Sequence, residues 1–418
     1  MPSLSSRPVA AADQSHPLLA PMPRLIGPVR ALARHVMLRA LADADVGRVD
    51  VILPDGARVA LGRGGRPEAT LRIRDDRAFV RMLVRGELGA GEAFTAGEWD
   101  ADDLPTALRW FLRATAARGV ESALTRVARV PSLWRHRRAA NDRAGSARNV
   151  TAHYDLGNAF YRTFLDEQLV YSCGLWRDGA TTPAEAQTAK LERLCALADL
   201  GPGDHVLEIG CGWGALALHA ARTRGCRVTA ITVSPAQLAH ARARAIADGL
   251  DDRVRFELCD YRDVTGRYDA ILSCEMLEAV GDAYLPAFFR TVAARLRPGR
   301  RAAIQSITMP DDRFAAYRRS VDWMQTYIFP GTLIPSLGVI AEAVTGTGLV
   351  ITSRDDIGPD YAPTLAAWRT RFVAALPEIE RLGFDDAFVR AWLLYLAFSE
   401  AAFAERTLAD HQLVMTRT

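Results

Sequence analysis

The sequence predicts an α/β protein: a doubly wound, mostly parallel sheet preceded by a smaller α+β domain. Three observations carry this. Apolar strand-like runs alternate with helical stretches at HVLEIG (205–210), RVTAITVS (227–234), RVRFELC (253–259), YDAILSC (268–274) and RAAIQSI (301–307), the pattern of successive βα units. A glycine-rich turn, EIGCGWGA (208–215), ends the first of these strands and opens a helix. The chain has 418 residues, more than one core usually organises, so a second domain is expected.

Four segments follow. Residues 1–21 read as a disordered tail, 22–130 as the α+β domain, 131–148 as a linker and 149–418 as the domain of the large sheet. From Pro23, PRLIGPVRALARHVMLRALADA places Arg24, Arg30, Arg34 and Arg39 among apolar residues at helical spacing. That pattern suits a basic amphipathic helix on an anionic membrane, or a surface helix with a solvated arginine face. VDVILPDGARVALG holds two alternating runs about a Pro-Asp-Gly turn, a hairpin signal. TLRIRDD adds a strand, and helical periodicity continues to Thr115. SLWRHRRAANDRAGSARN, from Ser132, is polar and rich in arginine, hence the linker. A helical segment from Thr364 to about Leu408 is expected to close the chain. No internal repeat is visible.

Apolar residues make up 49% and charged residues 24% of the chain, which predicts a globular protein with a substantial core. A net charge of +3 gives no footing for nucleic-acid binding. Lys190 is the one lysine among the basic residues. No uninterrupted apolar run reaches the ~18 residues that suggest a membrane span, and the N-terminus lacks the apolar stretch of a signal peptide. The six cysteines form no C-x-x-C pair and have no zinc-like spacing to histidine. They read as reduced thiols of a cytoplasmic protein without a metal site.

The glycine turn decides the cofactor. Gly210, Gly212 and Gly214 let the backbone bend tightly and approach a ligand. A dinucleotide site would need an acid about 20 residues further on, at the end of the second strand, for the ribose. That strand ends AITVS, with Thr232 and Ser234 and no carboxylate. Glu208, at the carboxyl end of the first strand, stands where S-adenosylmethionine sites carry an acid. The methyl donor is therefore expected.

Several blocks together resemble the cyclopropane-fatty-acyl-phospholipid synthase family. They are NVTAHYDLGNAFYRTFLDEQLVYSCGLW, EIGCGWGALA, ITVSPAQ, CEMLEAVG and TYIFPGTLIPS. GELGAGEAFTAGEWDADDL, from Gly86, is similar to that family's lipid-binding-like N-terminal region. The resemblance runs from about residue 80 to the C-terminus and leaves the first 45 residues outside. It implies a Rossmann-like class I methyltransferase domain and an enzyme that cyclopropanates an unsaturated phospholipid acyl chain. Chemically, a methyl group adds to one carbon of a cis double bond, and the neighbouring carbon becomes a cation. A proton is then lost from the methyl group as the ring closes.

By the same resemblance, a bicarbonate ion serves as base, cradled by Cys173, Glu278, the backbone of Ile307 and Tyr361. Gln305 stands where many members carry histidine, which removes a chargeable group from that strand. Tyr171 and Ser172 are assigned to the methionine end of the cofactor. Thr232 and Gln237 take the ribose side, and Asp260 and Tyr261 the adenine. His153, Tyr154, Phe160 and Tyr161 are assigned to the acyl pocket, beside Asn158. Phospholipid acyl chains at the inner membrane surface are the implied partner, and a homodimer is compatible. A methylene-branched product from the same cation, an amine methyltransferase and an inert lipid-binding module are the alternatives.

Overall fold

The computed structural model describes residues 27–118 and 156–418. The tail at 1–21, the linker at 131–148, Arg24, His153 and Tyr154 lie outside the described residues. The chain forms two compact units, and the cut between them is not a single point. Among the described residues, one unit takes 27–118 together with 319–328 and 372–405, and the other takes the rest. The reason is long-range packing: helix Asp386–Ala404 lies on helices Arg77–Thr95 and Leu104–Arg118 of the first unit.

In the first unit, β1 (Gly47–Ile52) and β2 (Arg58–Arg63) form the expected hairpin. Gly56 turns it at φ +83°, where a side chain would be strained, and the Asp55 carboxylate accepts from the Ala57 amide at 3.0 Å. β3 (Ala69–Ile73) pairs parallel to β1, and β4 (Trp99–Ala101) extends the sheet beside β3. Helix Arg77–Thr95 breaks at Gly86, whose φ of +58° is not helical. Beyond the break, Gly91 packs so closely on the Trp323 indole that a Cβ would come within 2.3 Å of it. Glu92 and Glu98, both buried, are neutralised by Arg81 and Arg85, and Tyr327 donates to Glu92 at 2.7 Å.

Helix Asp386–Ala404 is the one helix among the described residues long and apolar enough to cross a membrane, yet two thirds of it is buried inside the protein. Arg390, in its second turn, donates to the Phe94 and Trp99 carbonyls and to Asp100. A buried guanidinium held by three acceptors explains why this helix belongs to a protein core.

The N-terminal helix, Gly27–Ala42, exposes Arg39 and places Arg30 and Arg34 beside acidic groups. Arg34 pairs with Asp55 at 2.8 Å and lies 3.8 Å from Asp76, while Arg30 lies 3.8 Å from Asp75. Its exposed large apolar residues are Val29, Leu32 and Val36. Their spacing places them on one face of the helix.

The second unit is built on a seven-stranded sheet. β5 (His205–Ile209), β6 (Arg227–Thr232), β7 (Val254–Leu258), β8 (Tyr268–Cys274) and β9 (Leu296–Thr308) are mutually parallel in the order β7-β6-β5-β8-β9. The sheet continues through β11 (Ala409–Arg417) to β10 (Leu349–Asp356), and β11 alone runs antiparallel. The strand order reverses between β5 and β8, so ligands are expected outside the carboxyl ends of those strands. Two apolar clusters cover the sheet, one around Leu216, Leu218 and Phe256, the other around Phe288, Phe289 and Ile304.

Sequence reading places helix up to about Leu408 at the end of the chain. In the structure the helix ends at Ala404, and β11 inserts between β9 and β10. Its side chains are buried on both faces, including Asp410, His411 and Gln412. The simple polar–apolar alternation that marks a half-buried strand is therefore missing.

Candidate active site

The glycine loop leaves the carboxyl end of β5 with Gly210, Gly212 and Gly214 all at positive φ, between +51° and +92°. A Cβ at Gly210 would strike Met276 and one at Gly214 would strike Phe256, each at 2.8 Å. Those two glycines serve close packing of the protein itself. A Cβ at Gly212 would meet nothing within 4 Å, so the space above it is left for a ligand. Helix Ala215–Arg224 starts at the end of this loop.

Glu208 lies beneath the loop. Its residue is 2% exposed, and one carboxylate oxygen has no hydrogen-bond partner. Burial drives its pKa up to about 8, against the pull of Lys190. Lys190 is itself buried, and donates to Ser172 Oγ at 2.6 Å. Ser172 also accepts from Gln187 through its carbonyl at 2.7 Å. The YSC segment is thereby tied to the same charge system as Glu208.

On the second strand, Thr232 donates to Gln237 at 2.8 Å, and Ser234 caps helix Pro235–Ala247. Asp260 is held by Arg262 at 2.6–2.9 Å through three contacts. The Tyr261 hydroxyl is buried without a hydrogen-bond partner, a polar group that an adenine edge would satisfy. Thr232, Gln237, Asp260 and Tyr261 all follow the carboxyl ends of β6 and β7, as a cofactor site in this fold requires.

A strip of aromatic rings leads from the loop to the acid cluster. Trp213, in the loop, lies 5.0 Å from Tyr161, which lies 5.6 Å from Tyr171. Tyr171 lies 5.4 Å from Trp368, and Trp368 lies 6.2 Å from Tyr361. Phe160 and Phe164 back this strip, and Asn158 fixes the Trp213 indole at 2.7 Å. Phe160 and Tyr161 are fully buried. Ring faces of this kind stabilise a passing cation.

The strip ends on a carboxylate that sequence reading passed over. Glu275 directly follows β8 and is held at φ +49°. Its Oε1 accepts from the Cys173 amide at 2.7 Å and from Gln305 Nε2 at 2.8 Å, and its Oε2 accepts from the Tyr361 hydroxyl at 2.6 Å. Gln305 also donates to Asp410 at 2.9 Å and accepts from Gln412 at 3.0 Å. Burial pushes Glu275 upward, partly opposed by its three donors. Burial and the neighbouring Glu275 push Asp410 well above the carboxylate range.

Glu278 sits one turn further on. Its Oε1 accepts from Ser306 at 2.9 Å and from the Ile307 amide, while its buried Oε2 has no partner. Burial and then Glu275 raise it to about 8. The structure thus brings Cys173, Gln305 and Tyr361 together around Glu275, and joins Ile307 to Glu278.

This arrangement does not fit the bicarbonate implied by the resemblance. The Tyr361 hydroxyl and the Ile307 amide already donate to protein carboxylates. The Cys173 thiol is fully buried, points to the Gly174 carbonyl at 3.2 Å, and is pushed well up by burial. A further anion would face Glu275 and Glu278, the first of which already raises the second.

The parallel sheet with one reversed strand, the glycine loop at its switch point and the absence of an acid after β6 define a class I S-adenosylmethionine-dependent methyltransferase. Comparison with known proteins agrees. Tuberculostearic acid methyltransferase UfaA1 of Mycobacterium tuberculosis is 38% identical over 99% of this chain and 98% of its own. Cyclopropane-fatty-acyl-phospholipid synthase of Escherichia coli K12 is 33% identical over 86% of this chain and 91% of its own. The solved cyclopropane synthase CmaA1, in complex with SAH and CTAB, superposes with a TM-score of 0.60 at 27% identity, covering 65% of this chain and 98% of that one. The model of the mycolic acid cyclopropane synthetase family matches residues 141–413. The chain belongs to that family.

Proposed function

We propose that the protein methylates the cis double bond of an unsaturated phospholipid acyl chain and closes a cyclopropane ring across it. One observation carries this reading. A partly buried carboxylate, Glu275, lies at the end of a ring-lined strip that begins at the cofactor loop. A reaction through a carbocation asks for that pairing: aromatic faces for the cation and a base for the proton it must lose.

S-adenosylmethionine, when bound at the Gly212 loop, supplies an electrophilic methyl group. The residues of the chain do the remainder. Tyr171, Trp368 and Tyr361 line the path with π faces and keep water away from the cation. Gln305 and Tyr361 orient the Glu275 carboxylate. Gln305 cannot carry charge, so no histidine-like relay runs through β9. The outward Val29, Leu32 and Val36 of the N-terminal helix support docking on the cytoplasmic face of a membrane through apolar contact, with the exposed Arg39 on the same helix.

A second reading is favoured by the relative named as a tuberculostearic acid methyltransferase. A hydride shift to the cation, followed by proton loss from the methyl group, gives an exocyclic methylene branch in place of a ring. The test is mass spectrometry and proton NMR of monounsaturated phospholipid vesicles incubated with enzyme and S-adenosylmethionine. A gain of one methylene unit with ring protons supports the first reading. The same mass gain with vinylidene protons selects the second, and no gain refutes both.

A further inference from the structure

We infer that the base of this reaction is a resident side chain, Glu275, set between Cys173 and Tyr361 in the place of a dissolved anion. The inference rests on the acyl-methylation reading and names the group that takes the proton. Three donors converge on this carboxylate from distant parts of the chain. They are the Cys173 amide in the loop before residue 182, Gln305 on β9 and Tyr361 in helix Gly358–Ala374. The donor groups that would otherwise hold a free oxyanion are thereby committed to a protein oxyanion.

The backbone is shaped for it. At φ +49° a residue with a side chain is strained, and such strain persists only where surrounding contacts impose it. The orientation of Gln305 is also fixed. Its Oε1 accepts from Gln412, so its Nε2 must face Glu275 and Asp410. Asp410 and Gln412 reach this position because β11 runs antiparallel to β9, with Gln412 opposite Gln305 and Asp410 opposite Ile307. Asp410 Oδ1 meets no donor, whereas both oxygens of Glu275 accept hydrogen bonds, so a negative charge is better held on Glu275 than on Asp410.

The step balances without any co-reactant. A C–H bond of the newly added methyl group breaks, and its electron pair forms the ring bond to the cationic carbon. The proton passes to a Glu275 oxygen. Cation and carboxylate become neutral ring and carboxylic acid.

The experiment has two arms. In the first, carbon-13 bicarbonate is titrated into the full-length protein and followed by NMR, with Glu275→Gly and Glu275→Gln alongside. Wild type is expected to show no saturable binding, whereas Glu275→Gly, which frees the donors and suits the left-handed backbone, is expected to bind. Saturable binding to wild type overturns the inference, whatever the protein's activity. In the second arm, methylation of unsaturated phospholipid vesicles is assayed in carbon-dioxide-depleted buffer and with added bicarbonate. Wild type should keep its rate within about twofold, and Glu275→Gln should lose at least about 100-fold while binding S-adenosylmethionine normally by calorimetry. Bicarbonate should restore part of the Glu275→Gly rate. A wild-type rate that collapses without bicarbonate, or a Glu275→Gln variant of full activity, refutes Glu275 as base. If wild type modifies no lipid at all, the acyl-methylation reading fails, and the anion titration still decides whether Glu275 fills the oxyanion place.

Discussion

Tyr361→Phe removes a single hydrogen bond and leaves the ring. The ring is 5% exposed and lies against Trp368, so its packing should survive. What disappears is the 2.6 Å donation to Glu275 Oε2, one of three donors on that carboxylate. A hydrogen bond to a charged group contributes about 1.5–3 kcal/mol, which corresponds to roughly a 10- to 150-fold loss of rate. The direction on the pH axis is also determined. Tyr361 lowers the pKa of Glu275, so without it the pKa rises and a larger fraction of Glu275 is protonated at a given pH. The acid limb of the kcat profile should therefore move to higher pH, while the Kd for S-adenosylmethionine stays put. Assay of vesicle methylation across pH, with calorimetry of cofactor binding, reads both quantities. Combined with Glu275→Gln, the second substitution should add little, because both act on one interaction. A Tyr361→Phe enzyme with full rate and an unmoved acid limb would refute the reasoning.

Three other outcomes are expected. Gly212→Val should abolish detectable S-adenosylmethionine binding by calorimetry and lower thermal stability, since φ +51° strains any side chain; unaltered affinity would remove the loop from the cofactor site. Leu32→Asp should weaken sedimentation with phospholipid vesicles without changing cofactor affinity; removing one exposed apolar side chain and adding a charge should cost severalfold in partitioning, and unchanged sedimentation would return the N-terminal helix to an ordinary surface element. Glu208 is protonated in the fold up to about pH 8 but ionised in the unfolded chain above about pH 4.5. Stability should therefore fall as pH rises through that window and level off above it. Glu208→Gln should flatten this dependence in thermal melts, and an unchanged slope would show that Glu208 does not carry it.

The parallel half of the sheet and the glycine loop are readable because their information is local. Apolar runs, turn residues and a missing acid after β6 all lie within short windows. β11 is not readable in this way, since Asp410, His411 and Gln412 interrupt the apolar pattern and are satisfied only by β9 and its neighbours. Losing β11 hid the partners of Gln305 as well. Glu275 lies three residues before Glu278 in CEMLEAV, and the resemblance directed attention to the second acid alone. A signal was present: a buried glutamine that replaces histidine needs partners for both ends of its amide, and an acid at the end of the adjacent strand is the natural donor's target. Arg39 stays exposed, but Arg30 and Arg34 of the N-terminal helix are paired for the same non-local reason. Their countercharges, Asp55, Asp75 and Asp76, become neighbours only once the hairpin and the following helix fold.

The most direct measurement uses S-adenosylmethionine with a trideuterated methyl group and phospholipid vesicles carrying a monounsaturated acyl chain. Carbon-13 and deuterium NMR then locate the transferred carbon in the extracted lipid. The expected product has a ring carbon that keeps two of the three deuterons, the third having been removed by Glu275, and Glu275→Gln is expected to give no such product. A methyl branch that keeps all three deuterons, or an unlabelled lipid, would contradict it.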